Sequence, residues 1–277
     1  MFSNISMLYL SEIWIYPIKS ITGIQLQEAN VMPRGFEFDR RWMIVDASNT
    51  FLSQRTYPEL ALLDLKITDT SLQIIKRSNP EDKIETPLNP PLLHEIEVNI
   101  WSDKVLAWTV DPAADAWLSE FLNQPVKLVY MGDQAERQID LKYSEDGENV
   151  SFADGYPYLL ISEASLSDLN EKLKEPVSMR RFRPNLVVSG ATAFEEDSWN
   201  NIQIGNISFR VVKPCARCVL ITVDPNTAEK GAEPLKTLSS YRFENNKVLF
   251  GQNLISDHSG MLKQGDPIVI GTIVDKM

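Results

Sequence analysis

Lys213-Pro-Cys-Ala-Arg-Cys-Val-Leu-Ile-Thr-Val223 holds both cysteines of a 277-residue chain, and the residues just after the second cysteine decide the fold. A redox-active Cys-x-x-Cys pair of the thioredoxin kind stands at a helix N-terminus, where the dipole lowers the thiol pKa. Here residues 219–223 come directly after Cys218, and their β-branched run predicts a strand. That mismatch argues against a dithiol redox fold and for a β-rich one. A structural zinc site needs four ligands, and the sequence has no second cysteine pair to supply them. Packing as a small buried hydrophobe suits Cys215, but it leaves the neighbours of Cys218 unexplained.

Working outward, short runs rich in Val, Ile, Leu and aromatics, each bounded by turn residues, predict strands over 11–16, 23–31, 41–45, 61–67, 72–76, 95–100 and 104–110. Asp111-Pro112 supplies an N-cap and a first-turn proline for a helix that buries Ala116, Trp117, Leu118, Phe121 and Leu122 and ends near Asn123. A strand over 126–130 precedes a polar, acidic stretch running through Glu145-Asp146-Gly147-Glu148-Asn149. This reads as a long surface loop of the kind that often carries function, with Arg137 as a solvated charge within it. A strand over 158–161 then leads into a helix over 165–174 with Leu166, Leu169 and Leu173 on one face. Further strands are expected over 186–188, 202–204, 207–212 and 268–273. The expected fold class is α+β and β-dominated, with a barrel-like N-terminal domain over 1–127, a second domain over 128–277 and few helices.

Composition excludes several functions. A formal net charge of −11 argues against non-specific nucleic-acid binding, which depends on a row of cations facing phosphates. Against that background the cluster Arg180, Arg181 and Arg183 runs counter to the prevailing field, and a small anion is its expected reason. His94 and His258 are the only imidazoles, which excludes a histidine-rich metal site. No Gly-x-Ser-x-Gly elbow, Gly-x-Gly-x-x-Gly turn or Walker A loop occurs, so neither hydrolytic chemistry nor a nucleotide cofactor has a visible cradle. Residues 1–10 lack a basic flank and a long apolar run, and no stretch reaches the roughly 18 apolar residues of a membrane span. A cytoplasmic protein without a membrane anchor is expected.

Lys213-Pro-Cys-Ala-Arg-Cys218, Thr222-Val-Asp-Pro-Asn226, Pro234-Leu-Lys-Thr-Leu238 and Phe250-Gly-Gln-Asn253 together resemble the MOSC domain. More narrowly they are similar to its amidoxime-reducing branch, mitochondrial and bacterial. Ile15-Tyr-Pro-Ile-Lys-Ser20, Asp39-Arg-Arg-Trp42 and Gln54-Arg55 resemble the N-terminal β-barrel region that accompanies MOSC domains. Asp154-Gly-Tyr-Pro157, Ser162-Glu-Ala-Ser-Leu166 and Phe182-Arg-Pro-Asn185 continue the resemblance, so that it covers nearly the whole chain. It implies a β-barrel-like N-terminal domain packed on a MOSC β-barrel.

The resemblance implies a molybdenum cofactor (Mo-molybdopterin) with Cys218 as the metal's thiolate ligand. It further implies that Lys19, Ser20, Arg40, Arg55, Arg183 and Asn185, with Asp154, Gly155 and Tyr156, bind that cofactor. Cys218 and Asp154 would be catalytic, Asp154 as a proton donor or orienter beside the metal, although an aspartate capping a loop reads equally well. The chemistry accords with this: a soft thiolate suits a redox-active transition metal, and arginine forks and lysine point charges suit a phosphate. For each arginine the alternative is a solvated surface charge, and Arg180 and Arg181 find no secure match. The implied activity is reduction of N-hydroxylated compounds such as amidoximes, hydroxylamines and N-hydroxylated bases. A plant-type iron–sulfur cluster needs four cysteines, so electrons are expected from a separate flavoprotein reductase, ferredoxin or cytochrome b5-like protein. Two other readings stay open: a molybdenum-cofactor carrier, and a MOSC sulfur-transfer protein whose cysteine carries a persulfide.

Overall fold

The computed structural model describes residues 7–271, and the parts of the expectations that fall on 1–6 and 272–277 lie outside them. Alternation of buried and exposed side chains makes the strands. In Glu28–Met32, for instance, Ala29 and Val31 face inward while Glu28, Asn30 and Met32 face solvent. Nine strands form the largest sheet, in the order Ile268–Gly271, Asn201–Ile204, Ile207–Arg217, Lys247–Ser256, Tyr158–Ser162, Leu186–Ser189, Tyr9–Ile15 and Ile24–Leu26, with Phe243–Glu244 added beside Lys247–Ser256. Among the described strands of this sheet only Tyr158–Ser162 and Leu186–Ser189 pair in parallel, and the helix Glu163–Lys172 lies in the connection between them. A four-stranded antiparallel sheet orders Trp42–Asp46, Val126–Tyr130, Asp103–Thr109 and His94–Ile100. The described residues are thus β-dominated, with few helices, as expected.

Among the described residues the buried side chains form five apolar clusters, the two largest of which meet near the site. Leu10, Ile13, Leu160, Leu186 and Phe209 belong to one, whereas Ile18, Trp42, Ile44, Leu118 and Leu128 belong to the other. The chain passes from the first to the second through residues 16–20, the segment that also forms one wall of the site. Sequence order and spatial order do not coincide: Tyr9–Ile15 pairs with Leu186–Ser189, and Gly260–Lys263 pairs with Glu28–Met32. The strand Val126–Tyr130 spans the expected division at 127/128 and pairs with Trp42–Asp46.

The helix Pro112–Leu122 obeys its local signals. The Asp111 carboxylate accepts from Ala113 N at 2.9 Å and Ala114 N at 3.3 Å, and Asn123 closes the helix in the left-handed region. Its buried face is Ala114, Leu118 and Leu122, whereas Ala116 is exposed and Trp117 and Phe121 are half-buried. The expected strand over 61–67 opens as the 3-10 turn Pro58–Leu62 before Leu63–Ile67. The strand expected over 268–273 is described as Ile268–Gly271. A larger correction concerns residues 219–223, which form the 3-10 turn Val219–Thr222 instead of a strand. No described helix is long and apolar enough to cross a membrane.

Candidate functional site

The wall of the site begins where Tyr9–Ile15 leaves the large sheet. Residues 16–20 are stitched to 39–42 by backbone hydrogen bonds: Arg40 N donates to Tyr16 O at 2.9 Å, Trp42 N to Pro17 O at 3.0 Å and Lys19 N to Trp42 O at 2.9 Å. Gln54 Nε2 donates to Ser20 O at 2.7 Å, which gives the Gln54-Arg55 pair a local purpose. Ser20, Arg40 and Arg183 all occupy the left-handed region, with φ of 68°, 50° and 55°. Non-glycine residues held there cost energy that surrounding contacts must offset, and such residues cluster at binding sites.

Tyr16 organises the cations. It is buried, its hydroxyl donates to Pro184 O at 3.0 Å, and the guanidinium carbons of Arg40 and Arg183 lie 4.3 and 4.2 Å from its ring centroid. Arg40 is fixed further by Asp39 at 2.6 Å, Asn185 Oδ1 at 2.9 Å and the Arg183 carbonyl at 3.2 Å. Asp39 is fully buried, and its pKa is raised by that burial against the lowering effect of Arg40. Arg183 donates to Ile21 O at 2.7 Å, and burial brings its pKa down to about 10. Asn185 spends both amide atoms on the protein, since Oδ1 also accepts from Leu159 N and Nδ2 donates to Trp14 O at 3.1 Å.

The polar stretch that reads as surface loop is tied down by Arg137, which is buried and not solvated as its surroundings in sequence suggest. Its guanidinium donates to Asp103 at 2.8 Å, to Ser151 O at 2.9 Å, to Ala153 O and to Asp154 O at 3.3 Å. The result is that the backbone carbonyls of Ser151, Ala153 and Asp154 share one anchor. From the opposite wall the buried Lys19 ammonium donates to Phe152 O at 2.8 Å and to Asp154 Oδ1 at 2.5 Å. Burial lowers the Lys19 pKa to about 8 although Asp154 pulls it upward. For Asp154, burial acts to raise the pKa, but Lys19, then Arg55 and Arg40, hold the carboxyl well below its ordinary range. The Asp154 side chain stays 67% exposed toward the opening, so this pair stands at a wetted edge.

Cys218 is exposed and caps the 3-10 turn, while Cys215 is half-buried on the strand Ile207–Arg217. Loss of the expected strand after Cys218 removes one argument against a dithiol, but the strand before it supplies another. Three extended steps separate the two Cα atoms by about 10 Å, beyond the roughly 7 Å that a disulfide bridges. The pair is not poised to close. The end of the same strand is irregular, with register shifts at 211/213 and 214/216, and every residue from Lys213 to Cys218 lines the site. Arg217 donates to Cys215 Sγ at 3.0 Å and to Phe182 O at 2.7 Å, and its Nε is buried without a partner.

These walls enclose a cleft of about 280 Å³. Lys19, Ser20, Arg40, Asp154, Gly155, Tyr156, Arg183, Asn185 and Cys218 all line it, whereas Arg55 does not and stacks instead on Trp101 at 4.0 Å. Sequence reasoning missed Lys213, Arg217 and Lys247, which also line it. Lys213 and Arg217 stand in the cysteine motif itself, and their nearness in sequence to Cys218 is the signal that finds them. Among the described residues, six cations therefore face one carboxylate, which Lys19 already pairs, in a chain of net charge −11. Among the described residues Arg183, Lys213, Arg217 and Lys247 form no ion pair with a carboxylate. An accessible thiol, unpaired cations, an orphaned guanidinium nitrogen and apolar patches at Leu159 and Phe182 fit a planar, anionic, phosphate-bearing group that carries a redox-active metal able to accept a thiolate.

The sequence matches the MOSC domain over residues 147–269 and the MOSC N-terminal beta barrel domain over residues 7–125. It is similar to mitochondrial amidoxime-reducing component 1 of Mus musculus, 31% identical over 94% of this chain and 82% of the relative. The Homo sapiens protein of that name matches at 31% identity with the same coverage. Molybdenum cofactor sulfurase of Oryza sativa subsp. japonica is 32% identical over 89% of this chain, which corresponds to 32% of that longer protein.

Proposed function

This chain belongs to the family of MOSC-domain proteins that includes the amidoxime-reducing components, and from that premise we propose that its cleft holds the molybdenum cofactor, with Cys218 as the protein's thiolate ligand, and reduces N-hydroxylated compounds to amines or amidines. The observation that carries this reading is an exposed thiol set in the wall of a cation-rich cleft of an acidic protein. When bound, the cofactor supplies two-electron chemistry suited to cleaving an N–O bond.

The chain's own residues have separable tasks. Arg40 and Arg183, stacked on Tyr16, present fixed guanidinium groups to a phosphate. Asn185 positions Arg40 and touches the cofactor only secondarily, because its amide is already satisfied. Arg217 and Lys213 flank the cysteines and balance added negative charge. Reduction of an N–OH group to N–H with release of water consumes two electrons and two protons. Lys19 Nζ is the group suited to pass a proton, since its pKa of about 8 lies close to neutrality and Asp154 Oδ1 orients it. Ser20, Gly155 and Tyr156 supply backbone and ring edges to the cleft wall. The electrons come from a separate redox protein of the flavoprotein, ferredoxin or cytochrome class.

Similarity to the sulfurase keeps one other reading in view, transfer of sulfur from a cysteine persulfide. Metal and pterin analysis of protein from a cofactor-competent host, together with a benzamidoxime reduction assay driven by an artificial donor, separates the two. The reductase reading expects equimolar molybdenum and pterin, and benzamidine as product. Absence of both metal and pterin contradicts it.

A further inference from the structure

The hairpin that joins His94–Ile100 to Asp103–Thr109 carries Trp101 at its tip, 45% exposed and with φ of 59°. A bulky side chain in the left-handed region is strained and persists only where its neighbours hold it. They do so on both sides. Asn99 N donates to Asn49 O at 2.8 Å and Asn99 O accepts from Phe51 N at 3.1 Å, while Asp103 accepts from Arg137 at 2.8 Å. The Phe51 ring lies 5.0 Å from that of Trp101. Arg55 places its guanidinium carbon 4.0 Å from the Trp101 ring and 5.7 Å from that of Phe51.

None of these three side chains lines the cleft, yet the cluster adjoins it. Lys19 Nζ lies 5.4 Å from the Phe51 ring centroid and 2.5 Å from Asp154 Oδ1, so a single ammonium touches both the aromatic group and the cleft wall. Burying an indole would stabilise the fold, but this one is held open to solvent beside the reactive edge. The Arg55 guanidinium lies over the indole and the Phe51 ring stands at 55° to it, so the three make an aromatic–cation corner, which takes flat, conjugated groups by stacking and edge contact, largely without regard to their hydrogen-bonding edges.

We propose that Trp101, Phe51 and Arg55 form a stacking platform at the cleft mouth that selects planar, conjugated N-hydroxylated substrates over aliphatic ones. The proposal rests on the reductase reading for its chemistry and assigns Arg55 to the substrate instead of the cofactor. Stacking on one ring accounts for a discrimination of about tenfold.

Benzamidoxime and acetamidoxime test it, because they share the reacting group and differ in the ring. Affinity for both is measured by calorimetry, and KM and kcat by reduction with an artificial donor, on cofactor-loaded wild type, Trp101→Asn and Trp101→Phe. Asparagine tolerates the positive φ and removes the ring, whereas phenylalanine keeps a ring. Trp101→Asn is expected to raise Kd and KM for benzamidoxime about tenfold. Acetamidoxime kinetics, kcat and molybdenum and pterin content should stay unchanged, and Trp101→Phe should restore most of the affinity. Equal effects on the two probes, no effect on either, or no preference of the wild type for benzamidoxime would overturn the platform. If benzamidoxime binds in a Trp101-dependent way but is never reduced, the platform stands and the reductase reading falls.

Discussion

Lys19 Nζ lies 2.5 Å from Asp154 Oδ1, and this contact joins the crossover segment 16–20 to the loop that Arg137 holds in place. The pairing sets a pH dependence. Burial brings the Lys19 pKa down to about 8, so the cleft loses one cation as pH rises through that value. Retention of a phosphate-bearing pterin should therefore weaken above pH of about 8. Asp154→Asn removes the partner that raises the Lys19 pKa and should move the midpoint to lower pH, and Lys19→Gln should flatten the profile. Pterin retained on gel filtration across a pH series measures this, and a midpoint unmoved by Asp154→Asn would contradict it. The same shift makes this group's share of folding stability rise between pH of about 8 and the ordinary lysine value, because the unfolded chain binds the extra proton there.

Arg137 should behave as a buried anchor. Arg137→Ala leaves the carbonyls of Ser151 and Ala153 without their donor and is expected to cost about 2–3 kcal/mol in urea unfolding. It should also lower pterin content without touching the cofactor, because Asp154 loses its support. Lys142→Ala, at an exposed position of the same loop, should change stability by less than about 0.5 kcal/mol. Equal stability of the two variants would show that the loop does not depend on this clasp.

Gly23 has no room for a side chain, since a Cβ there would collide with Cε1 of Tyr16. Gly23→Ala should cost about 1–3 kcal/mol by overpacking and should lower cofactor retention, because Arg40 and Arg183 rest on the displaced ring. Tyr16→Phe keeps the ring and loses only the hydrogen bond to Pro184, so it should cost about 1 kcal/mol and keep retention near normal. Unfolding midpoints and pterin content of the two variants provide the comparison. Greater loss of pterin from Tyr16→Phe than from Gly23→Ala would refute the role given to the ring.

What the sequence shows of this fold is what its local chemistry carries. The helix Pro112–Leu122 is legible because Asp111, Pro112 and Asn123 act within one turn of its ends. Residues 219–223 have the composition of a strand, yet Ile221 packs with Phe182, Leu238 and Phe250, and the segment winds into a 3-10 turn. Arg137 sits among polar residues whose backbone carbonyls become its partners only after folding, so composition reads it as solvated. The site divides in the same way. Lys19, Arg40 and Arg183 lie in short distinctive segments, while Lys247 stands at the start of the strand Lys247–Ser256, three residues before the Phe250-Gly-Gln-Asn253 segment, and is brought to the cleft only by the pairing of that strand.

The most direct test of the account compares Cys218→Ser with Cys215→Ser, each assayed for benzamidoxime reduction per bound molybdenum with the same artificial donor. Serine replaces a soft thiolate by a hard, protonated hydroxyl. The account predicts that Cys218→Ser abolishes reduction even where pterin is still bound, and that Cys215→Ser, whose thiol accepts from Arg217, is milder. Full activity per molybdenum in Cys218→Ser would contradict the claim that this thiolate holds the metal, and equal failure of both variants would point instead to chemistry shared by the two sulfurs.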